Sequence, residues 1–356
     1  SSEVEFHHDV KHNCNLYRNK GNHKLSQKFN AIIAKKDSEG KFFAELSQIT
    51  TNELPDEDVL IDIDFSTLNY KDGLAVTNKL PICQKFPMVC GIDLAGSVIE
   101  SKNEKFSPGQ KVLVNGFGLS ERYWGGYSQK QRVNSSFLVP VPENFSTRSA
   151  MAIGTAGYTA MLAVNAIRDH GIQPSDGDIL VTGSVGGVGS VAITLLSSLG
   201  YNVIASTGRL EQSDYLKKLG AKKIIERATL DGPGRPLDKE SWAGAIDNVG
   251  SSTLANVLAK TNYSGIVASC GLAGGSDLPG TVLPFILRNV RLQGVDSVQA
   301  PLALRERAWR DLSELLDVSV LESMTSVAKL SDVFDLGKQI VSGKIKGRIV
   351  IDVNSI

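Results

Sequence analysis

The spacing of apolar and polar positions changes character near residue 149. Before it, short apolar stretches recur at 29–34, 59–65, 91–99, 111–114 and 133–141. In the second of these, Val59, Leu60, Ile61 and Ile63 are interleaved with Asp62 and Asp64. Such short alternation predicts half-buried strands, because successive side chains point to opposite faces. Pro108 and Gly109 mark a turn, and Pro140 and Pro142 close the last stretch. No long helical period interrupts this part, which predicts a compact β-rich domain.

From 149 the texture differs. An Ala-rich segment, 149–167, has helical character and carries Gly154 and Gly157 as expected breaks. Apolar runs at 178–182, 202–206, 223–226, 243–247, 265–270 and 291–296 then alternate with amphipathic segments at 188–199, 211–219, 253–260 and 283–289. Six strands with helical crossovers predict an α/β fold with a doubly wound parallel sheet. A loop fills 228–239, a helix is expected over 302–316 and a final strand over 347–352. That strand is expected to return to the β-rich domain. The domain is then discontinuous, 29–148 with 298–356, around a cofactor domain at 149–297. Residues 1–28 are polar and aperiodic and read as a flexible extension.

The glycines carry the first chemical signal. Gly183, Ser184, Gly186, Gly187, Val188 and Gly189 follow a predicted strand and open a predicted helix. One glycine makes the turn, one lets backbone approach a pyrophosphate, and one lets helix and strand pack closely. The helix start offers free N–H groups and a positive dipole end to phosphate. The spacing departs from a strict GxGxxG, but the strand–loop–helix context favours dinucleotide binding over a plain turn. The next strand ends in Ser206, Thr207, Gly208 and Arg209, with no acid for a ribose 2′-hydroxyl. Arg209 offers a planar cationic fork and Ser206 a hydroxyl, suited to a 2′-phosphate, so the expected cofactor is NADPH. Arg227, ending the third strand, is a second cation for the adenine edge. The nicotinamide end is expected at the carboxyl ends of later strands, at Asn248, Leu272, Ala273, Asp296 and Ser297.

Composition narrows the chemistry. A length of 356 residues suits two domains, and 42% apolar residues suffice for their cores. Lys+Arg and Asp+Glu are 38 each, so no net charge favours nucleic acid or an anionic membrane as partner. No apolar run near the ~18–20 residues of a membrane span stands out, and the start lacks a signal peptide's apolar core. Four sparse cysteines without a CxxC pair fit a reducing cytosol, so a cytoplasmic location is expected. Of five histidines only His170 lies beyond residue 23, beside Gly171 at the expected end of a helix. Catalytic zinc usually takes three protein ligands and a serine triad needs a placed histidine, so neither is expected.

Several segments together carry a family resemblance. They are 66–73 (Ser-Thr-Leu-Asn-Tyr-Lys-Asp-Gly), 91–96 (Gly-Ile-Asp-Leu-Ala-Gly), 123–127, 154–160, the glycine loop, 242–247 (Trp-Ala-Gly-Ala-Ile-Asp) and 283–297. From 29 to 353 the chain resembles the medium-chain dehydrogenase/reductase superfamily, in its zinc-free, quinone-oxidoreductase-like branch. Within it the chain resembles the acryloyl-CoA reductase group. The resemblance implies a GroES-like β-rich catalytic domain packed on a Rossmann domain, in a homodimer. It implies an acyl-CoA substrate and NADPH-dependent reduction of acryloyl-CoA to propionyl-CoA, with hydride to the β-carbon and a proton to the α-carbon.

The same resemblance sets Asn69, Tyr70 and Asp72 at the nicotinamide as catalytic candidates. Asn69 can donate or accept through its amide, and Tyr70 can donate a proton or hydrogen bond to the thioester oxygen. Lys71 and Asp72 can pair with each other or with the cofactor, and water is an alternative proton donor. Thr155 is expected beside the nicotinamide and Trp124 at the acyl pocket. Arg348 is expected at the cofactor or CoA phosphates, for which Arg288, Arg291 and Lys344 are further candidates. Two other functions stay open: reduction of quinones or other activated alkenes, and an NADPH-binding regulatory protein without catalysis.

Overall fold

The structure, a computed structural model, describes residues 27–356. All but the end of the extension expected over 1–28 lies outside the described residues. The first part contains β1 (Lys28–Lys36), β2 (Phe42–Thr50), β3 (Val59–Thr67), α1 (Tyr70–Thr77), β4 (Met88–Val89), β5 (Asp93–Ser101), β6 (Lys111–Asn115), β7 (Lys130–Val133) and β8 (Val139–Pro140). The helix α2 (Thr147–His170) leads to β9 (Ile179–Val181), α3 (Gly187–Ser198), β10 (Val203–Thr207), α4 (Ser213–Leu219) and β11 (Ala221–Glu226). Then come β12 (Trp242–Asp247), α5 (Ser251–Ala259), β13 (Thr261–Ser269), α6 (Leu283–Arg288) and β14 (Arg291–Gly294). The chain closes with α7 (Leu302–Leu315), α8 (Val318–Ser323), β15 (Thr325–Lys329), α9 (Val333–Val341) and β16 (Arg348–Asp352).

Strands β9 to β14 form one parallel sheet in the order β11-β10-β9-β12-β13-β14. This doubly wound order reverses direction between β9 and β12, where the carboxyl ends leave a crevice for a ligand. A second sheet runs β15-β16-β3-β5-β6-β8, with β7 also on β3, and a smaller one runs β2-β1-β4. In the second sheet Val350 of β16 lies opposite Thr67 of β3, so the last strand flanks the segment entering Asn69.

One helix joins the two halves. Ser146 caps α2 by accepting from the Ser149 N–H at 3.0 Å, and Gly171 ends the helix in left-handed conformation beside His170. The α2 face packs Met151, Ile153 and Tyr158 into a core that includes Leu113 and Val350 on one side and Val191 and Ile246 on the other. Each fully buried side chain of this kind contributes roughly 1.5–3 kcal/mol, so the junction between the domains is itself core. The helix is long and apolar enough to cross a bilayer by composition, which the sequence reading overlooked. Its most apolar 18-residue window is 83% buried inside the fold.

The expected break at Gly154 is present, with φ of 53° and ψ of −163°; Gly157 is helical. At the kink the helical hydrogen bonds are replaced. The Thr155 N–H donates to Asp93, and Arg348 Nε donates to the Ala152 carbonyl. A Cβ on Gly154 would lie 2.6 Å from Arg348 Nη2 and 2.8 Å from the Thr67 methyl, so the close approach requires glycine.

Some elements went unread. The polar segment after β3 is the short helix α1, and β2, β15 and α9 were not anticipated. The run expected as one strand over 133–141 is split between the end of β7 and the two-residue β8.

Candidate functional site

The glycine loop leaves β9 and opens α3 as expected. Gly183 has φ of +59°, and a Cβ on Gly189 would overlap the Gly183 carbonyl. Gly186 caps α3, and Gly186, Gly187 and Val188 are half-exposed, so the first helical N–H groups face the crevice. Ser184 is buried and donates to the Val181 carbonyl, so its side chain braces the loop and its backbone remains for a ligand. This cradle, bare of side chains at a helix start, fits a dinucleotide pyrophosphate.

At the end of β10, Ser206 is buried and Arg209 half-buried. Arg209 Nη1 donates to the Ile345 and Gly343 carbonyls, and its Nε lies 3.7 Å from Glu211. Its guanidinium thus ties the loop before β16 to the cofactor domain and leaves Nη2 available. Gly347 N–H donates to the Val185 carbonyl, which fixes the same loop over the glycine turn. Arg227 is exposed, pairs loosely with Asp231 at 3.7 Å and lies against Gly208, beside Arg209. Two cations therefore flank the expected 2′-phosphate position.

At the far end of the crevice, Asn248 donates from Nδ2 to the Thr182 carbonyl and packs against Gly183. Leu272 and Ala273 are exposed on the loop after β13, where the Ala273 N–H donates to the Asn248 carbonyl. The Asp296 carboxylate accepts from the backbone N–H groups of Val298 and Gln299, so it shapes its own turn. Arg305 then fastens this turn by donating to the Ser297 and Val298 carbonyls.

Beneath the crevice lies a buried polar hub that sequence reasoning missed. Asp93, fully buried, accepts from Thr67 Oγ1 (2.6 Å), Asn69 Nδ2 (3.0 Å), Asn115 Nδ2 (2.8 Å), Thr155 N (2.9 Å) and Thr155 Oγ1 (2.5 Å). Asp72, also fully buried, accepts from the N–H groups of Asn69 and Ile92 and from Asn69 Nδ2, all at 2.9 Å. Burial, and then the charge of Asp93, push the Asp72 carboxyl up to about 7. Arg348 donates from Nη1 to Asn69 Oδ1 at 3.4 Å, and its Nη2 has no partner among the described residues. Burial lowers the Arg348 pKa while Asp93 and Asp72 oppose that shift.

These contacts revise several expected roles. The Asn69 amide is consumed by Asp72, Asp93 and Arg348, so it is a brace. Asp72 is the reciprocal cap of α1. Lys71 pairs with Glu121 at 3.2 Å, and not with Asp72. The Thr155 hydroxyl is held by Asp93. Arg348 is 2% exposed, too deep for the phosphates of CoA; its Nη1 lies under the cradle beside Gly187, and its orphaned Nη2 lies against Gly154. Trp124 donates from Nε1 to the Pro87 carbonyl and lines a groove on the catalytic domain. Arg288 is spent on the Ala259 and Asp238 carbonyls. Tyr70, by contrast, is 40% exposed at the start of α1 and its hydroxyl has no partner among the described residues. The hub had one legible signal, an acid inside the apolar strand Asp93–Ser101.

Among the described residues no group of three or more His, Cys, Asp or Glu could hold a metal ion. Comparison with known proteins adds kinship. Residues 55–143 match the alcohol dehydrogenase GroES-like domain, and 187–317 match a family described as zinc-binding dehydrogenase, whose metal the described side chains do not fit. The acrylyl-CoA reductase AcuI of Ruegeria pomeroyi is 49% identical over 329 residues, 92% of this chain and 100% of that one. The crystal structure of the yhdH oxidoreductase from Salmonella enterica in complex with NADP superposes with a TM-score of 0.89 at 48% identity, covering 91% of this chain and 99% of that one. That of E. coli K-12 YhdH with bound NADPH does so with 0.89 at 47%, covering 91% and 100%.

The raised Asp72 carboxyl makes stability depend on pH. Between about pH 4 and 7 the folded chain retains a proton that the unfolded chain releases, so stability falls as pH rises through that window. Denaturant unfolding at pH 5 and pH 8 should show Asp72→Asn losing less stability on this rise than the parent protein. An equal loss in both contradicts the assignment.

Proposed function

The chain belongs to the medium-chain dehydrogenase/reductase family, and from that premise we propose that it reduces the double bond of acrylyl-CoA, giving propionyl-CoA, with NADPH. The observation that carries this reading is kinship over 92% of the chain with a named acrylyl-CoA reductase, in a chain whose β10 is followed by Gly208 and Arg209 and not by an acid. The glycine cradle and the α3 N-terminus hold the pyrophosphate. Arg209 and Arg227 hold the 2′-phosphate over the strand end at the buried Ser206, and the loops at Asn248, Leu272, Ala273 and Ser297 border the nicotinamide. Bound NADPH supplies the hydride that the β-carbon receives.

The protein's own chemistry is orientation and charge stabilisation. As the β-carbon gains hydride, negative charge develops on the thioester oxygen. The Tyr70 hydroxyl, unpartnered and at the start of α1, donates a hydrogen bond there. The α-carbon then takes its proton from solvent or from Tyr70. Arg348 keeps a positive charge under the site, and the hub keeps Tyr70 aimed by fixing Asn69 before it.

Quinone reduction remains the second reading, because the cofactor cradle is compatible with it. A homodimer in the cytoplasm completes the proposal. The exposed Val282, Ile286 and Leu287 lie beside β14, an edge strand with unpaired backbone, and such an edge invites pairing with a second copy. Light scattering should give twice the chain mass; a monomer at micromolar concentration contradicts the dimer.

NADPH oxidation followed optically tests the function. Acrylyl-CoA should be turned over with kcat/KM far above that for a quinone, and the reverse order moves the function to the second reading. In the same assay Arg209→Ala should weaken NADPH at least tenfold more than NADH, and equal losses would sink the 2′-phosphate assignment. Tyr70→Phe should lower kcat roughly 10²-fold with the NADPH affinity intact; an unchanged kcat removes Tyr70 from the reaction.

A further inference from the structure

A cavity of about 430 Å³ opens on the catalytic domain, away from the glycine cradle. Its size is that of a site for a small organic ligand. Phe86, Tyr123, Trp124 and Phe137 line it, Trp124 being the one of the four with no ring or cation contact on it among the described residues, and Lys85, Arg122 and Arg132 supply three cations against the single carboxylate of Glu57. Arg132 is engaged with Glu100 at 3.4 Å. Lys85 and Arg122 are exposed and make no ion pair among the described residues. The Trp124 indole is pinned by its bond to the Pro87 carbonyl, so its face is preorganised.

The groove is connected to the crevice by a row of stacked groups. Arg305, which fastens the Ser297 turn, lies 3.4 Å from the Phe117 ring centre. Phe117 stacks on Phe137 at 4.7 Å, Phe137 meets Tyr123 edge-on at 5.1 Å, and Arg122 lies 5.9 Å from the Tyr123 ring. This row leads from the turn expected at the nicotinamide to the groove. The pantetheine arm of coenzyme A has about twelve chain atoms between sulfur and phosphate, the length of four residues, or roughly 14 Å when extended.

We propose that this groove seats the adenine nucleotide end of the coenzyme A thioester, with Lys85 and Arg122 on its phosphates and the aromatic rings on adenine. This rests on the acyl-CoA reading of the crevice. It explains why Trp124 and the cations gather here and not beside Asn69. Charge-assisted contacts to phosphate and aromatic stacking on a base are the chemistry such a lining provides.

The test compares acrylyl-CoA with its truncated analogue S-acryloyl-N-acetylcysteamine, which lacks the nucleotide, in the full chain with NADPH. The double variant Lys85→Ala/Arg122→Ala should raise KM for acrylyl-CoA at least tenfold with kcat within twofold. KM for the truncated thioester should not change. An unchanged KM for acrylyl-CoA, or an equal rise for both substrates, overturns the proposal. Calorimetry with adenosine 3′,5′-bisphosphate at saturating NADPH keeps this separate from the function itself. If the parent protein reduces neither thioester, the proposed function fails, and the groove is still decided. Binding lost in the double variant supports it, and no binding to the parent protein overturns it.

Discussion

Five hydrogen bonds converge on the buried carboxylate of Asp93, and the working geometry of the molecule depends on them. The donors come from β3, the turn before α1, β6 and the kinked α2. A carboxylate without such donors would cost several kcal/mol to bury; with them it becomes the point at which four elements are held in register. The requirement propagates outward. Gly154 must be glycine because the helix bends to present the Thr155 N–H to Asp93. Arg348 must reach in from β16 because two buried acids need a cation near them. Asn69 must cap α1 while bonded to both acids, which leaves Tyr70 exposed as the first residue of the helix.

A second buried cation completes the arrangement. Arg305 makes no ion pair among the described residues and spends its guanidinium on the carbonyls of Asn115, Ser297, Val298 and Ala300. Asn115 in turn donates to Asp93 and accepts from the Trp309 indole. The wall expected beside the nicotinamide is thereby tied through Asn115 to the wall that carries Tyr70. Both domains contribute to this chain of contacts, so crevice width is set by buried hydrogen bonds and not by loop flexibility. Reaction between a cofactor from one domain and a substrate held by the other requires that kind of preorganisation.

The sequence was most readable where backbone geometry demands a particular residue. The glycine loop, the absence of an acid after β10 and the alternation of strands with helices all follow from such demands, and the six strands form the expected doubly wound parallel sheet. Side-chain roles were less legible, because spacing does not say what a polar group meets. Asn69, Asp72, Thr155 and Arg348 are indeed near one another, yet most of their polar atoms face each other. Asp93 was hidden by the convention that an acid in an apolar run is a solvent-facing alternate. Elements at the margins were lost for different reasons. β15 is short and exposed, and α1 begins in polar residues that read as loop. α9 had a clear apolar face in Val333, Leu336 and Ile340 and could have been found.

The most direct measurement is the kinetics of Asp93→Asn, an isosteric change that puts an NH₂ among five donors. The proposed NADPH contacts, the glycine loop and Arg209, make no hydrogen bond to this carboxylate among the described residues. Asp93→Asn should therefore leave the NADPH dissociation constant within twofold of the parent value and lower kcat for acrylyl-CoA at least tenfold. An unchanged kcat, or a loss confined to NADPH binding, would contradict the claim that this carboxylate sets the reacting geometry.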